Sequence, residues 1–312
     1  MPELSVVIPT FNRAKLLARA LASLPSTAAG DLEIIVVDDG SSDGTEEVVG
    51  GWKRPVRFLR QDHAGPGRAR NLGWDQATAP YVAFLDSDDV WLPWTLAVYR
   101  ALLCTDPPPS MVIGAPFWFE DEAELARAAR GPLATRTFPD YLASAGWPIW
   151  LGASSLLVRR DIGPRFETER MNAEDLDLAI HLGGEPGFVW VQAPATFGYR
   201  RHPSTLVSNL QGTLTGVGHL ISEETEGRYP GGQARRRARW QLITRAVRPP
   251  ALAALRAGRW AEGFRLYALT WRWHVALGRW RFLLAFPVLA AWARWKRPKA
   301  GQPLAADPAA RT

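Results

Sequence analysis

Tyr81-Val82-Ala83-Phe84-Leu85-Asp86-Ser87-Asp88-Asp89 is the stretch whose reading decides the fold. Its five apolar residues predict a short buried strand, and the strand stops in a cluster of carboxylates. Residues two apart on a strand point to the same side, so Asp86 and Asp88 converge on one spot. Hard oxygen ligands at that spot suit Mg2+ or Mn2+, ions that commonly hold a substrate's phosphates as well. A plainer reading of the same residues is an acidic turn capping the next helix, with Asp89 near its start.

Working outward, the first third of the chain alternates strand and helix signals. Residues 4–8 form an apolar run ended by Pro9, and residues 14–24 read as an amphipathic helix with Leu17, Leu21 and Leu24 on one face. Further strands are expected at 32–37 and 56–59, and helices at 45–49 and 66–77. Such alternation implies parallel pairing with helices on both faces. Ligands then bind beyond the carboxyl ends of the strands, so the polar clusters after Ile8, Val37 and Leu85 fall on one rim. Later strands are expected at 111–119, 154–158 and 189–191, with helix and loop over 120–145 and no strand signal after about residue 213.

The 312 residues allow one large domain or two smaller ones, and a hydrophobic content of 47% is ordinary for a globular core. A single cysteine, Cys104, excludes an intramolecular disulfide and a cysteine-based zinc site. The start Met1-Pro2-Glu3-Leu4 runs straight into a strand, so no signal peptide is expected. The net charge of +6 conceals an asymmetry. Residues 228–312 hold 18 of the 37 Lys and Arg against Glu262 and Asp307, a net of +16, whereas residues 1–227 carry 19 basic and 29 acidic residues, a net of −10. The basic half calls for an anionic partner.

The loop Pro9-Thr10-Phe11-Asn12-Arg13 follows the first strand, and Asp38-Asp39-Gly40-Ser41-Ser42-Asp43-Gly44 follows the second. A carboxylate there can accept the imide N–H of a pyrimidine, and the Phe11 ring can lie against the base; the plainer reading is a tight turn rich in Asp, Ser and Gly. Gly65-Pro66-Gly67-Arg68-Ala69-Arg70-Asn71 opens a helix from which Arg70 can approach a diphosphate, or face solvent.

In their order and spacing, Val6-Val7-Ile8-Pro9-Thr10-Phe11-Asn12, Val36-Val37-Asp38-Asp39-Gly40-Ser41-Ser42-Asp43-Gly44-Thr45, Gly67-Arg68-Ala69-Arg70-Asn71-Leu72-Gly73 and Phe84-Leu85-Asp86-Ser87-Asp88-Asp89 resemble the family 2 glycosyltransferases. The resemblance runs from about residue 3 to about residue 210. It implies an α/β GT-A (Rossmann-like) fold, with a mixed, mostly parallel central sheet flanked by helices. It also implies an inverting transfer of a sugar from a nucleoside-diphosphate donor, UDP or dTDP. By this resemblance Pro9, Thr10, Phe11, Asp39, Arg70, Asp86 and Ser87 bind the donor. The family often has Tyr at the position of Phe11. Asp86 and Asp88 hold Mg2+ or Mn2+, with Asp88 the direct ligand and His202, in Tyr199-Arg200-Arg201-His202, a further ligand or a contact to the diphosphate. Met171-Asn172-Ala173-Glu174-Asp175-Leu176-Asp177-Leu178 matches the family's Glu-Asp segment, making Asp175 the base that takes the acceptor hydroxyl's proton and Glu174 a supporting acid. On residue type alone, Asp175 reads equally as a helix N-terminal acid, and His202 as an ordinary surface histidine. Trp147, Trp150 and Gly152 fall where the family faces its acceptor, although tryptophans also fill cores.

The sequence divides into a catalytic domain over 1–212, a helical region over 213–298 and a disordered tail over 299–312. Arg235-Arg236-Arg237-Ala238-Arg239-Trp240 opens a C-terminal region in which Trp and Arg interleave with Leu, Ala and Val, as in helices that lie in a membrane interface. Its longest uncharged run, 282–293, is too short to span ~30 Å of hydrocarbon. The expectation is therefore a cytoplasmic enzyme peripheral to an anionic membrane surface, acting on a glycan or lipid-linked acceptor in envelope polysaccharide assembly. A subdomain packed on the catalytic part and an oligomer interface are the alternative uses of these helices, and no nucleic-acid partner is expected. The rival functions are a nucleotidyltransferase of related fold, whose glycine-rich lysine-bearing loop is absent from 9–13, and an inactive sugar-nucleotide-binding scaffold.

Overall fold

The computed structural model describes residues 2–26, 31–169, 172–201 and 209–295. Strand β1 (Leu4–Thr10) is buried along its whole length, as a strand covered on both faces must be. It pairs in parallel with β2 (Leu32–Asp38) on one side and β4 (Tyr81–Phe84) on the other, and β3 (Arg57–Arg60) extends the parallel set beyond β2. Helix α1 (Ala14–Ser23) buries Leu17, Ala20 and Leu21, one face at i, i+3, i+4 spacing. Helix α2 (Thr45–Gly50) and helix α3 (Pro66–Gln76) complete the alternation. Helix α3 lies so close to the sheet that a Cβ on Gly73 would stand 2.3 Å from a Val7 methyl group.

Past β4 the sheet becomes mixed. Its order is β3-β2-β1-β4-β9-β6-β10-β8, with β6 (Met111–Ile113), β8 (Ala134–Phe138), β9 (Leu156–Arg159) and β10 (Phe188–Ala193). Strand β9 runs antiparallel to both β4 and β6, β10 is parallel to β6, and β8 is an antiparallel edge. A second sheet has the order β5-β11-β7, from β5 (Val90–Trp91), β7 (Pro116–Phe119) and β11 (Phe197–Arg200). The expected α/β class and largely parallel core are those observed.

Three local expectations are corrected. The run 111–119 is two strands in different sheets, divided where a Cβ on Gly114 would fall 2.2 Å from Thr196 Oγ1. Within 120–145 the edge strand β8 stands where helix and loop are expected; its Thr and Arg side chains are exposed and leave no apolar alternation to read. Asp89 caps no helix, because α4 (Thr95–Leu103) begins six residues later.

Helices α5 (Glu174–His181), α6 (Leu210–Thr225), α7 (Gly232–Arg256), α8 (Trp260–Ala276) and α9 (Trp280–Trp295) follow. The chain forms two compact units, residues 1–242 and 243–312, dividing inside α7. In the first unit the arginine run is not a free basic patch. Arg239 is buried against Glu224 at 2.6 Å and Arg235 pairs with Asp140. No described helix is long and apolar enough to cross a membrane. Residues 299–312, expected to be disordered, lie outside the described residues.

One side chain pins the loops of the active rim. Asp43 accepts the Ala14 N–H that opens α1 (2.9 Å), and both the N–H and hydroxyl of Thr45 that open α2. Burial pushes its carboxyl up, but these hydrogen bonds outweigh that and hold it below its ordinary range. The stabilisation is therefore complete above the unfolded value near 4 and is lost as pH falls through the folded one. Asp43→Ala should cost about 1–2 kcal/mol in urea unfolding at neutral pH, with a smaller loss in Asp43→Asn, which still caps.

Candidate active site

The carboxyl ends of β1, β2 and β4 bring the expected loops together. Thr10 pairs in register with Asp38, the Asp39 N–H donates to Thr10 O (2.9 Å), and the Leu85 N–H donates to Val7 O (3.0 Å). Asn12 adopts φ 52°; its N–H donates to Ser41 Oγ (2.8 Å) and its side chain accepts from the Ser42 N–H (2.8 Å). Pro9 and Thr10 are buried, with Thr10 Oγ1 lacking a hydrogen-bond partner, and Phe11 is exposed.

Asp39 is almost fully enclosed. Its carboxylate accepts from Gln61 Nε2 (2.7 Å), the Ala64 N–H (2.8 Å) and the Gly65 N–H (2.8 Å), and His63 Nδ1 lies 2.9 Å from its Oδ2. The His63 ring stacks on Phe11 with centroids 3.9 Å apart. Both oxygens thus organise the 61–65 loop and set an imidazole on the aromatic face. Gly40, at φ 82°, allows the turn; a Cβ there would sit 3.1 Å from the His63 nitrogen.

Arg70 is buried. Nη2 donates to Asp86 Oδ1 (2.6 Å) and Nη1 to Glu174 Oε1 (2.9 Å), while the guanidinium lies over Phe166 at 5.2 Å. Burial disfavours its charge, yet the two carboxylates more than offset this and raise its pKa, so the cation is fixed. The solvent-facing alternative for Arg70 does not hold.

The carboxylates of Asp86, Asp88 and Asp89 come close enough for one oxygen of each to lie within 4.8 Å of the others. Asp88 Oδ2 accepts from Arg13 Nη1 (2.6 Å) and Asp86 N–H donates to Ser154 Oγ (2.9 Å). Asp89 is buried; its Oδ1 accepts the Arg200 N–H (3.0 Å) and its Oδ2 has no hydrogen-bond partner. Burial first, then Asp88 and Asp86, push the Asp89 carboxyl well above its ordinary range. Three hard oxygen donors, one orphaned, fit a divalent cation of the Mg2+ or Mn2+ type. Ser87 is buried within the same turn.

Asp175 lies in the first turn of α5. Ala173 just before it adopts the left-handed conformation, φ 86°, unusual for a residue with a Cβ. Asp175 keeps a partly exposed edge and accepts from the Leu176 N–H (2.7 Å). The protein around it, and then Glu174, push its carboxyl up to about 7. Tyr199 of β11 is pushed up to about 12, by burial and then by Asp89, Asp86, Asp88 and Asp175. Trp118, Trp150 and Tyr199 form an edge-to-face group with centroids 4.8–5.2 Å apart. Trp147 belongs to another cluster, with Phe138, Trp190 and the Arg136 guanidinium 3.9 Å over its ring. His202 lies outside the described residues.

The sequence reading missed Arg13, His63, Trp118 and Arg200 as neighbours of the site. Arg13 and Arg200 sit inside quoted motifs, but only the fold shows that both reach the Asp88-Asp89 turn: Arg200 Nε donates to Asp88 O (3.3 Å). His63 and Trp118 carry no motif.

A mostly parallel sheet with acidic and aromatic loops at its carboxyl rim is the architecture of the GT-A fold. Residues 5–158 match the sequence model of glycosyl transferase family 2, and the chain belongs to that family through this segment. It is 46% identical over 102 residues to a GalNAc(5)-diNAcBac-PP-undecaprenol beta-1,3-glucosyltransferase of Campylobacter jejuni, covering 31% of this chain and 33% of the relative. It is 41% identical over 100 residues to the succinoglycan biosynthesis protein ExoW of Rhizobium meliloti, covering 30% and 31%. The matched stretch thus spans about a third of each curated relative's length. The crystal structure of S. aureus TarS 1-349 in complex with UDP-GlcNAc shares the fold, with a TM-score of 0.62 at 19% identity over 95% of this chain and 88% of that one.

Replacing Arg70 by Met leaves two acids facing each other in a buried place. The expected loss is about 3 kcal/mol in urea unfolding. Glu174→Gln, which keeps an acceptor for the guanidinium, should lose less than half of that.

Proposed function

We propose that this chain is an inverting, metal-dependent glycosyltransferase. It moves a sugar from a UDP or dTDP donor to a hydroxyl of a glycan or lipid-linked acceptor. The observation that carries the reading is the Arg70 bridge, which ties Asp86 of the acidic turn to Glu174 beside Asp175. Donor-side acids and a carboxyl tuned to about 7 are thereby held in one network.

In this reading Asp175 takes the proton of the acceptor hydroxyl. That oxygen bonds to the donor's anomeric carbon as the bond to the diphosphate breaks, the electron pair leaving with the diphosphate. One base and one displacement invert the anomeric configuration, by the logic of a base that activates the incoming oxygen in inverting glycosidases. Asp88, with Asp86 and Asp89, would hold Mg2+ or Mn2+, which neutralises charge on the leaving nucleoside diphosphate. His202 is proposed as a further ligand. Arg13, which pairs with Asp88 Oδ2, would stand beside a cation held by that carboxylate.

Pro9, Thr10 and Phe11 line the base end, with Ser87 and Arg70 at the diphosphate. Asp39 reaches the base imide only if one of its present donors yields. His63 is the most exposed of them and already marks the stacking position on Phe11. The intact Asp39, Asp86, Asp88 and Asp175 favour transfer over a scaffold role. The lipid-linked and polysaccharide acceptors rest on the names of the C. jejuni and R. meliloti relatives, and the uridine donor has a parallel in the UDP-GlcNAc held by TarS. Within this proposal the catalytic domain is residues 1–212, and the helical region 213–298 places the enzyme at the cytoplasmic face of an anionic membrane in envelope polysaccharide assembly.

The test is transfer, followed by nucleoside diphosphate release across a panel of UDP- and dTDP-sugars. With an active donor, kcat/KM should rise with pH through about 7 and then level, because the base works only when ionised. Asp175→Asn should lower kcat roughly a hundredfold or more while leaving donor affinity intact. Turnover near wild type in Asp175→Asn, or a flat pH profile, would remove Asp175 from the reaction.

A further inference from the structure

Helix α9 is apolar on two opposite sides. Leu283, Phe286 and Ala290 are buried, with Phe286 stacked on Tyr267 of α8 at 4.9 Å and Tyr267 OH donating to Leu283 O (3.1 Å). The other side carries Trp280, Leu284, Val288 and Trp292 at intervals of four, which places them on one stripe. They are 56%, 71%, 67% and 51% exposed. Arg281 is the one charged residue along this outward side of α9 among the residues with described side chains. Helix α8 repeats the pattern: Phe264, Ala268, Trp271 and Val275 are exposed at i, i+4, i+7, i+11, beside a row with Arg265 and Arg272. A helix that is hydrophobic all round is buried all round in a finished assembly, and a contiguous exposed apolar surface marks an interaction site.

Charge and composition choose the occupant. Residues 243–295 carry nine arginines and one acid, Glu262, which pairs with Arg259. Six tryptophans lie in the same stretch. A protein partner matched to Leu, Val and Trp would not need this cationic excess, and two copies of the face brought together would set arginines against arginines. An anionic lipid surface satisfies both features, since Trp settles at the headgroup level and Arg reaches the phosphates. The uncharged run 282–293, between Arg281 and Arg294, extends only about 18 Å as helix, short of the ~30 Å hydrocarbon core, so it suits a position in the plane of the interface.

We propose that the outward faces of α8 and α9 form an interfacial docking surface for an anionic lipid bilayer, with Leu284, Val288 and Trp292 entering the acyl boundary and Arg265, Arg272 and Arg281 meeting headgroup phosphates. This rests on the peripheral-membrane reading above and names the surface responsible.

The test is co-sedimentation of the purified full chain with phosphatidylcholine vesicles, with and without phosphatidylglycerol, and the same for Leu284→Glu/Val288→Glu. Both side chains point outward, so circular dichroism and the thermal midpoint should match wild type. The expected result is binding to the anionic vesicles, weakened by added salt, and roughly tenfold weaker or lost in the double variant. Equal binding by wild type and variant would overturn the assignment to this face while leaving membrane attachment standing. Failure of the wild type to bind anionic vesicles would overturn both. A lipid-free dimer in light scattering that becomes monomeric in the variant would instead make the face a self-interface and sink the proposal.

Discussion

The constraint on which the site depends is the guanidinium of Arg70. It is enclosed by protein, and a buried cation persists only when paired. Its partners come from distant parts of the chain, Asp86 at the end of β4 and Glu174 at the start of α5. One planar group therefore fixes the distance between the acidic turn and the helix that carries Asp175. Just before Glu174 the backbone turns through Ala173 in the left-handed conformation.

Like charges are gathered around that cation in excess. Asp86, Asp88 and Asp89 lie close together, and Asp175 stands beside Glu174. Such crowding raises carboxyl pKa values and costs stability, so it persists where a ligand or a reaction uses it. Arg13 and Arg200 answer part of it, through Asp88 Oδ2 and the Asp88 carbonyl. The orphaned Asp89 Oδ2 marks the part they leave unanswered.

The first four strands and their helices were legible because their hydrophobic periods are strong: β1 is buried throughout with Leu4, Val6, Val7 and Ile8 at its heart, and α1 repeats Leu17 and Leu21, with Leu24 at its cap. Edges and short bridges were not. Strands β5, β8 and β11 are brief or exposed, and their pairing depends on partners far along the chain. At the site, residue types could be read but engagement could not. Nothing in Asp38-Asp39-Gly40 announces that Asp39 holds the 61–65 loop through backbone N–H groups. The Arg-rich opening of α7 read as the start of a membrane-interface region, whereas Arg235 and Arg239 have local acid partners that only the fold supplies.

Donor binding is the central claim, and calorimetric titration of the purified chain with UDP, dTDP, GDP and CMP, each with and without Mn2+, tests it most directly. The account predicts binding of one pyrimidine diphosphate, strengthened by Mn2+ and lost in Asp88→Ala. Absence of binding by all four with Mn2+ present, or UDP binding indifferent to both Mn2+ and Asp88→Ala, would contradict it.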